Sequence, residues 1–201
     1  DRSPSRGLGD VYKRQAFVLK YRLNKTETND PAREMMDKLK DRAAFEKNSL
    51  ATIKLAAQDG KNALKYVRDN ASKYGIDVKK VGTIGFSAGS TVAMETVLDN
   101  TENQLPDFVA NIYGGPREDL LKVATPTKKI PMFVCAASDD QLKLAPRSIQ
   151  LYNKWLEAGQ SAELHMYAKG GHGFGTGKQN LPVDSWLNRF EEWLVFQGFL
   201  N

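Results

Sequence analysis

A serine hydroxyl is a poor nucleophile at neutral pH and needs a base to take its proton as it attacks a carbonyl carbon. Ser87 has the neighbours such a role demands. It lies in Gly85-Phe86-Ser87-Ala88-Gly89, a G-x-S-x-G pattern, after the apolar run Val81, Thr83, Ile84 and before the helix-like stretch Ser90 to Leu98. In a strand, turn, helix setting the serine occupies a tight, strained turn that holds its oxygen clear of the sheet. The flanking glycines are needed because side chains there would run into the neighbouring strand and helix.

The base must come from one of two histidines. His172 sits in a glycine-rich loop, Lys169 to Gly177, with Gly170, Gly171 and Gly173 around it, and an imidazole with an ordinary pKa near ~6.5 suits proton transfer at neutral pH. His165 falls within the alternation of Ala162 to Tyr167 and is read as structural. A carboxylate is then required to hold the imidazole in the right tautomer and to stabilise the imidazolium. Asp139 and Asp140 both follow the apolar run Met132 to Ala136, and adjacent residues leaving a strand point in different directions, so only one can reach the histidine. Asp139 reads most simply as a loop-capping or surface acid, and Glu163 and Asp184 as solvated charges.

The elements that must position these groups alternate along the chain. Ala16 to Leu23 reads as a buried strand and Pro31 to Lys47 as a charged, weakly helical surface insertion. A helix is expected from an N-cap at Ser49, with Ile53, Ala56, Gly60, Ala63, Leu64, Val67, Ala71 and Tyr74 on one face and Gly75 as its stop. The Val81 strand, Phe108 to Tyr113, Met132 to Ala136 and Ala162 to Tyr167 follow. Helices are expected at Pro146 to Ala158 and from Trp186 to Phe196. This order implies a mostly parallel sheet with helices on both faces and right-handed crossovers. Ligands of such sheets bind beyond the carboxyl ends of the strands, where Ser87, Asp140 and His172 would converge.

Composition excludes several other classes. The 201 residues are 41% hydrophobic and 26% charged, which fits a single globular domain with a sizeable core. The net charge of +5 is scattered in short pairs such as Lys79-Lys80 and Lys128-Lys129, so a nucleic-acid partner is disfavoured. Apolar runs fall far short of the roughly 20 residues of a membrane span. The single Cys135, in an apolar strand, reads as a buried, inert thiol. Residues 1–15, DRSPSRGLGDVYKRQ, show no periodicity and resemble translated adapter sequence, so they are read as a non-native or disordered tail and 16–201 as the domain.

Four stretches carry a family resemblance: QDGKNALKYVRDNASKYGID, VGTIGFSAGS, ASDDQLKLAPRSIQLYNKWLEAG and AELHMYAKGGHGFG. From Ala16 onward the chain resembles the later part of an α/β-hydrolase of the dienelactone hydrolase and acetyl xylan esterase-like group, in which the order serine, acid, histidine is usual. The resemblance implies Ser87 as nucleophile, His172 as base and Asp140 as the acid, the last matched through its distance to Pro146 and Ser148. It implies one oxyanion donor at the Ala88 backbone N–H, and no metal or organic cofactor.

Two positions depart from the family pattern. Ser90 stands where a second glycine is usual, and is expected only to adjust helix packing. Three further strands and a glycine-rich oxyanion loop precede the Ala16 strand in the group resembled, and none is found before Ala16 here, so an N-terminally truncated, impaired hydrolase is expected. Losing one oxyanion donor typically lowers kcat by about 10²- to 10³-fold.

The function these features predict is a serine carboxylesterase, acetyl xylan esterase-like, acting on acylated carbohydrate or a similar small ester. A peptidase or a lactone hydrolase on the same scaffold is the rival enzyme reading. A non-catalytic α/β-hydrolase-like binding domain is the rival of another class. Relatives of the group are often secreted or periplasmic; localisation and oligomeric state of this chain stay open.

Overall fold

The computed structural model describes residues 15–98 and 104–200. By their contacts they divide into two compact units, one ending at Val78 and the other starting at Lys79. The predicted tail, Gln15 apart, lies outside the described residues.

The first unit is helical. Helix α1, Pro31–Lys38, opens on Asp30, whose carboxylate accepts from the Arg33 N–H, with proline at the first turn where its missing N–H costs nothing. Helix α2, Arg42–Asp69, is 28 residues long and starts from Asp41, which caps the Ala44 N–H. Ser49 is therefore not the N-cap. It is buried mid-helix and its hydroxyl accepts from Asn24 Nδ2 at 2.8 Å. Ala56, Gly60, Leu64 and Val67 are buried along one stripe, as their spacing predicts, and Ala57 joins them. The helix breaks at Asn70 and resumes as α3, Ala71–Tyr74, which ends on Gly75 in the left-handed region at φ 65°.

Ala16 to Leu23 forms no strand. Its residues carry no regular structure and are largely exposed, Val18 to 81%. The backbone N–H of Arg22, which a ladder would pair with a neighbouring carbonyl, instead donates to the Asp59 carboxylate at 2.9 Å, and the Arg22 guanidinium joins the same group at 2.7 Å. An apolar run becomes a strand only where a partner strand takes up its backbone groups.

The second unit holds the sheet. Strand β1, Thr83–Phe86, leads into α4, Ala88–Leu98; β2, Val109–Ile112, is followed by the short α5, Glu118–Leu121. Strand β3, Met132–Ala137, precedes α6, Ala145–Glu157, and β4, Ala162–Tyr167, precedes α7, Trp186–Phe196. The four strands lie parallel in the order β1-β2-β3-β4.

Alternation along the central strands sends side chains to two cores. Val109, Met132 and Val134 pack with Met94 and Val97 of α4 and with Leu151 and Trp155 of α6. Ala110, Ile112, Phe133 and Cys135 pack with Trp186, Trp193 and Leu194 of α7. Strand β3 is buried at every position, which is why it reads in sequence as one continuous apolar run. The architecture is the expected α/β one, a parallel sheet with helices on both faces.

Candidate active site

The turn after β1 places Ser87. Its φ of 51° lies in the left-handed region, a conformation that costs a non-glycine residue about 1–2 kcal/mol. Backbone bonds on both sides hold it there: the Ser87 N–H donates to the Ile112 carbonyl of β2 at 3.0 Å, and the Ser87 carbonyl accepts from the Ser90 N–H at 3.0 Å. Gly85 makes the turn possible. A Cβ on it would lie 2.3 Å from the Gly89 carbonyl oxygen and 2.5 Å from Ser90 Cα, inside the backbone of α4.

Ser90 is accommodated by the residues around it. It is fully buried, its hydroxyl donates to Asn111 Oδ1, and Gly114 leaves the space that Ser90 fills. A Cβ on Gly114 would stand 2.2 Å from Ser90 Cβ. The network continues from Asn111 Nδ2 to the Gly114 carbonyl at 3.3 Å, which also accepts from Ser148 Oγ at 2.6 Å.

The structure brings Ser87, His172 and Asp140 together. Ser87 Oγ lies 2.7 Å from His172 Nε2, and His172 Nδ1 lies 3.1 Å from Asp140 Oδ2. A carboxylate can only accept, so Nδ1 carries the proton and Nε2 is left to accept from the serine hydroxyl. The Asp140 side chain is wholly buried and its other oxygen accepts from the Leu142 N–H at 2.7 Å, which fixes the carboxylate plane. Ala88, the first residue of α4, follows Ser87 directly at the rim.

Asp139 caps a loop, as its sequence reading suggests: Oδ1 accepts from the N–H groups of Gly170 and Gly171 at 3.0 and 2.8 Å. Asp184 and Glu163 are not free solvated charges. Asp184 accepts from the N–H groups of Gln179 and Asn180, and Glu163 pairs with His165 at 2.6 Å. His165 of β4 stacks on Phe133 of the neighbouring β3, ring centres 5.2 Å apart.

Sequence reasoning missed the residues that support the histidine. Gln141 Oε1 accepts the His172 N–H at 2.8 Å. The Tyr113 ring meets the imidazole edge to face at 5.3 Å and Phe174 at 4.6 Å, and Tyr113, at φ 37°, is itself in a strained turn after β2. Burial pushes the Tyr113 phenol up from its ordinary pKa, so it stays neutral beside the imidazole. Trp186 Nε1 donates to the Gly175 carbonyl at 2.6 Å and ties the far side of the loop to α7. Proximity of Tyr113 to Gly114-Gly115 was the one visible signal; Gln141 had none.

Arg117, after the Gly114-Gly115 turn, makes a buried ion pair with Glu95 of α4 and a bidentate one with Asp119 at 3.0 Å. Burial opposes the charge on this guanidinium, yet the two carboxylates raise its pKa overall. Cys135, in the middle of β3, is fully buried, and desolvation pushes its thiol up to about 12. It is the buried thiol expected. Among the described residues no helix is long and apolar enough to cross a membrane.

A 70-residue stretch is 40% identical to endo-1,4-beta-xylanase B of Butyrivibrio fibrisolvens; it covers 34% of this chain and 11% of that protein. The chain thus spans about a tenth of the length of this curated relative. The fold is similar to that of an acetyl ester-xyloside bifunctional hydrolase from Caldicellulosiruptor lactoaceticus, with a TM-score of 0.66 at 23% identity over 73% of this chain and 67% of that one. A thermophilic esterase from Thermogutta terrifontis gives 0.59 at 24% identity over 74% and 66%. At these identities the structures speak for the fold alone. Residues 8–192 match the dienelactone hydrolase family, and with the parallel sheet and its helices in agreement the chain belongs to that family of α/β-hydrolases.

Proposed function

We propose that the chain is a serine hydrolase that cleaves carboxylic esters through an acyl-enzyme, with Ser87 as nucleophile, His172 as base and Asp140 as its orienting acid. The observation that carries this is the relay of 2.7 Å from Ser87 Oγ to His172 Nε2 and 3.1 Å from Nδ1 to Asp140. As Oγ bonds to the ester carbon, its proton passes to Nε2 and the carbonyl π electrons move onto oxygen. The Ala88 N–H, at the start of α4, donates to that oxyanion with the helix dipole behind it. Collapse expels the alkoxide, which takes the Nε2 proton and leaves as the alcohol. Water then attacks the acyl-serine by the same relay run again, releasing the acid and restoring Ser87.

Acylated carbohydrate is the substrate class we favour. The support is the company the chain keeps, a xylanase by sequence and an acetyl ester-xyloside hydrolase by fold. The family's own description favours lactones as the second reading. Assays with p-nitrophenyl acetate, acetylated xylan, a feruloyl ester, a lactone and a peptide ester separate these. Release of acetate from xylan that disappears in Ser87→Ala is expected. Turnover of the lactone alone would transfer the assignment, and Ser87-independent turnover of any ester would overturn it.

A further inference from the structure

The loop that carries His172 is poorly suited to holding anything still. It reads Lys169-Gly170-Gly171-His172-Gly173-Phe174-Gly175, and Gly171, Gly173 and Gly175 all sit at positive φ, 69°, 79° and 52°. Glycine-rich backbone loses the most freedom on ordering, yet a base must be held to within about 0.5 Å of its working position. Something outside the loop must supply the order.

Three consecutive residues after β3 do so, each bonding a different part of the loop. Asp139 Oδ1 accepts from Gly170 N–H and Gly171 N–H, at 3.0 and 2.8 Å. Asp140 takes the ring, and Gln141 Oε1 accepts from His172 N–H at 2.8 Å. Gln141 also leans on the loop: a Cβ on Gly171 would meet its Nε2 at 3.0 Å. From the far side Gln179 Nε2 donates to the Gly170 carbonyl at 3.2 Å. The backbone leading up to the imidazole is thus bonded at three successive N–H groups, those of residues 170, 171 and 172, by the two side chains Asp139 and Gln141.

We infer that Asp139 and Gln141 are positioning residues: they clamp the backbone of 170–172 so that the His172 ring is delivered to Ser87 and Asp140 together. The inference rests on the reading of His172 as base. Exchange of the backbone amides, followed by NMR, tests the clamp without turnover, and the rate at which a fluorophosphonate labels Ser87 tests its consequence. In the unaltered protein the amides of Gly170, Gly171 and His172 are expected to be protected. Asp139→Ala should speed exchange at Gly170 and Gly171, and Gln141→Ala at His172, by about tenfold.

Labelling should fall about 10- to 10²-fold in each alanine variant, since displacing a reacting group by about 1 Å costs that much. Asp139→Asn and Gln141→Glu keep an acceptor oxygen in place and should restore labelling, which a general loss of stability would not explain. Unprotected amides in the unaltered protein overturn the clamp whatever the variants do. Alanine variants that label at the full rate, while His172→Ala does not label, overturn the positioning role alone. Normal labelling of His172→Ala overturns the base assignment, and the exchange pattern still decides whether these two side chains hold the loop.

Discussion

Gly85→Ala puts the tightest contact of the turn to the test. The added methyl would sit 2.3 Å from the Gly89 carbonyl oxygen, where ordinary contact begins near 3.4 Å, and the obstacle is helix backbone. The first turn of α4 must therefore retreat from β1 by about 1 Å, because no rotamer can relieve a clash with backbone. Overpacking of this kind costs about 1–3 kcal/mol, while replacing glycine by alanine returns about 0.4–1 kcal/mol through the unfolded chain. The steric term wins, and a drop in melting temperature of roughly 2–10 °C is expected. Ser87 lies between the two elements forced apart, so the 2.7 Å bond to His172 should open and labelling by a fluorophosphonate should slow by about 10²-fold. Thermal unfolding and labelling rate are measured on the same preparation. A variant that melts and labels like the unaltered protein would refute the claim that glycine is required here by the approach of α4.

Three further outcomes follow from other parts of the molecule. Gly114→Ala should destabilise by about 1–3 kcal/mol because its Cβ would stand 2.2 Å from Ser90 Cβ, and Ser90→Gly in the same chain should restore most of the loss; strictly additive effects in denaturant titrations would contradict this. Cys135, its thiol pushed up to about 12 by burial, should resist iodoacetamide at pH 8 until the protein is unfolded, and alkylation of the folded chain at the unfolded rate would disprove its inertness. Glu34 is held at about 2 by Lys38 and by hydrogen bonds from the Glu27 and Thr28 backbone and the Thr28 hydroxyl, against an ordinary 4.5. A depressed carboxylate stabilises the fold above its unfolded pKa and ceases to as pH falls through its folded one. Stability of the region around α1 should decline between about 4.5 and 2, and Glu34→Gln should remove that slope from the helical signal.

The parts of this fold that could be read from sequence are those decided locally. β3 is visible because an apolar run bounded by turn residues has few alternatives once both faces are covered, β4 because Ala162 to Tyr167 alternates along a half-buried strand, and α7 because Trp186, Trp193 and Leu194 fall on one stripe. Ser87 could be placed because glycines at fixed offsets report a backbone constraint. Residues 16–23 show the limit: the same apolar signal led to no strand, since strand formation depends on a partner that composition cannot reveal. Ser49 offers a hydroxyl of the kind that caps, but Asp41 offers a carboxylate and the N–H groups of the first turn lie beside it. Gln141 gives no sign in the sequence and Tyr113 only its place before Gly114-Gly115, because the importance of both lies in meeting a loop some 30 to 60 residues away in the chain, a relation that only folding creates.

The most direct test of the central claim is mass spectrometry of the chain after exposure to a fluorophosphonate. One adduct on the peptide containing Ser87, absent in Ser87→Ala and lost in His172→Ala, is the predicted result. No adduct on the folded protein, or an adduct at Ser87 that forms equally fast without the imidazole, would contradict the account.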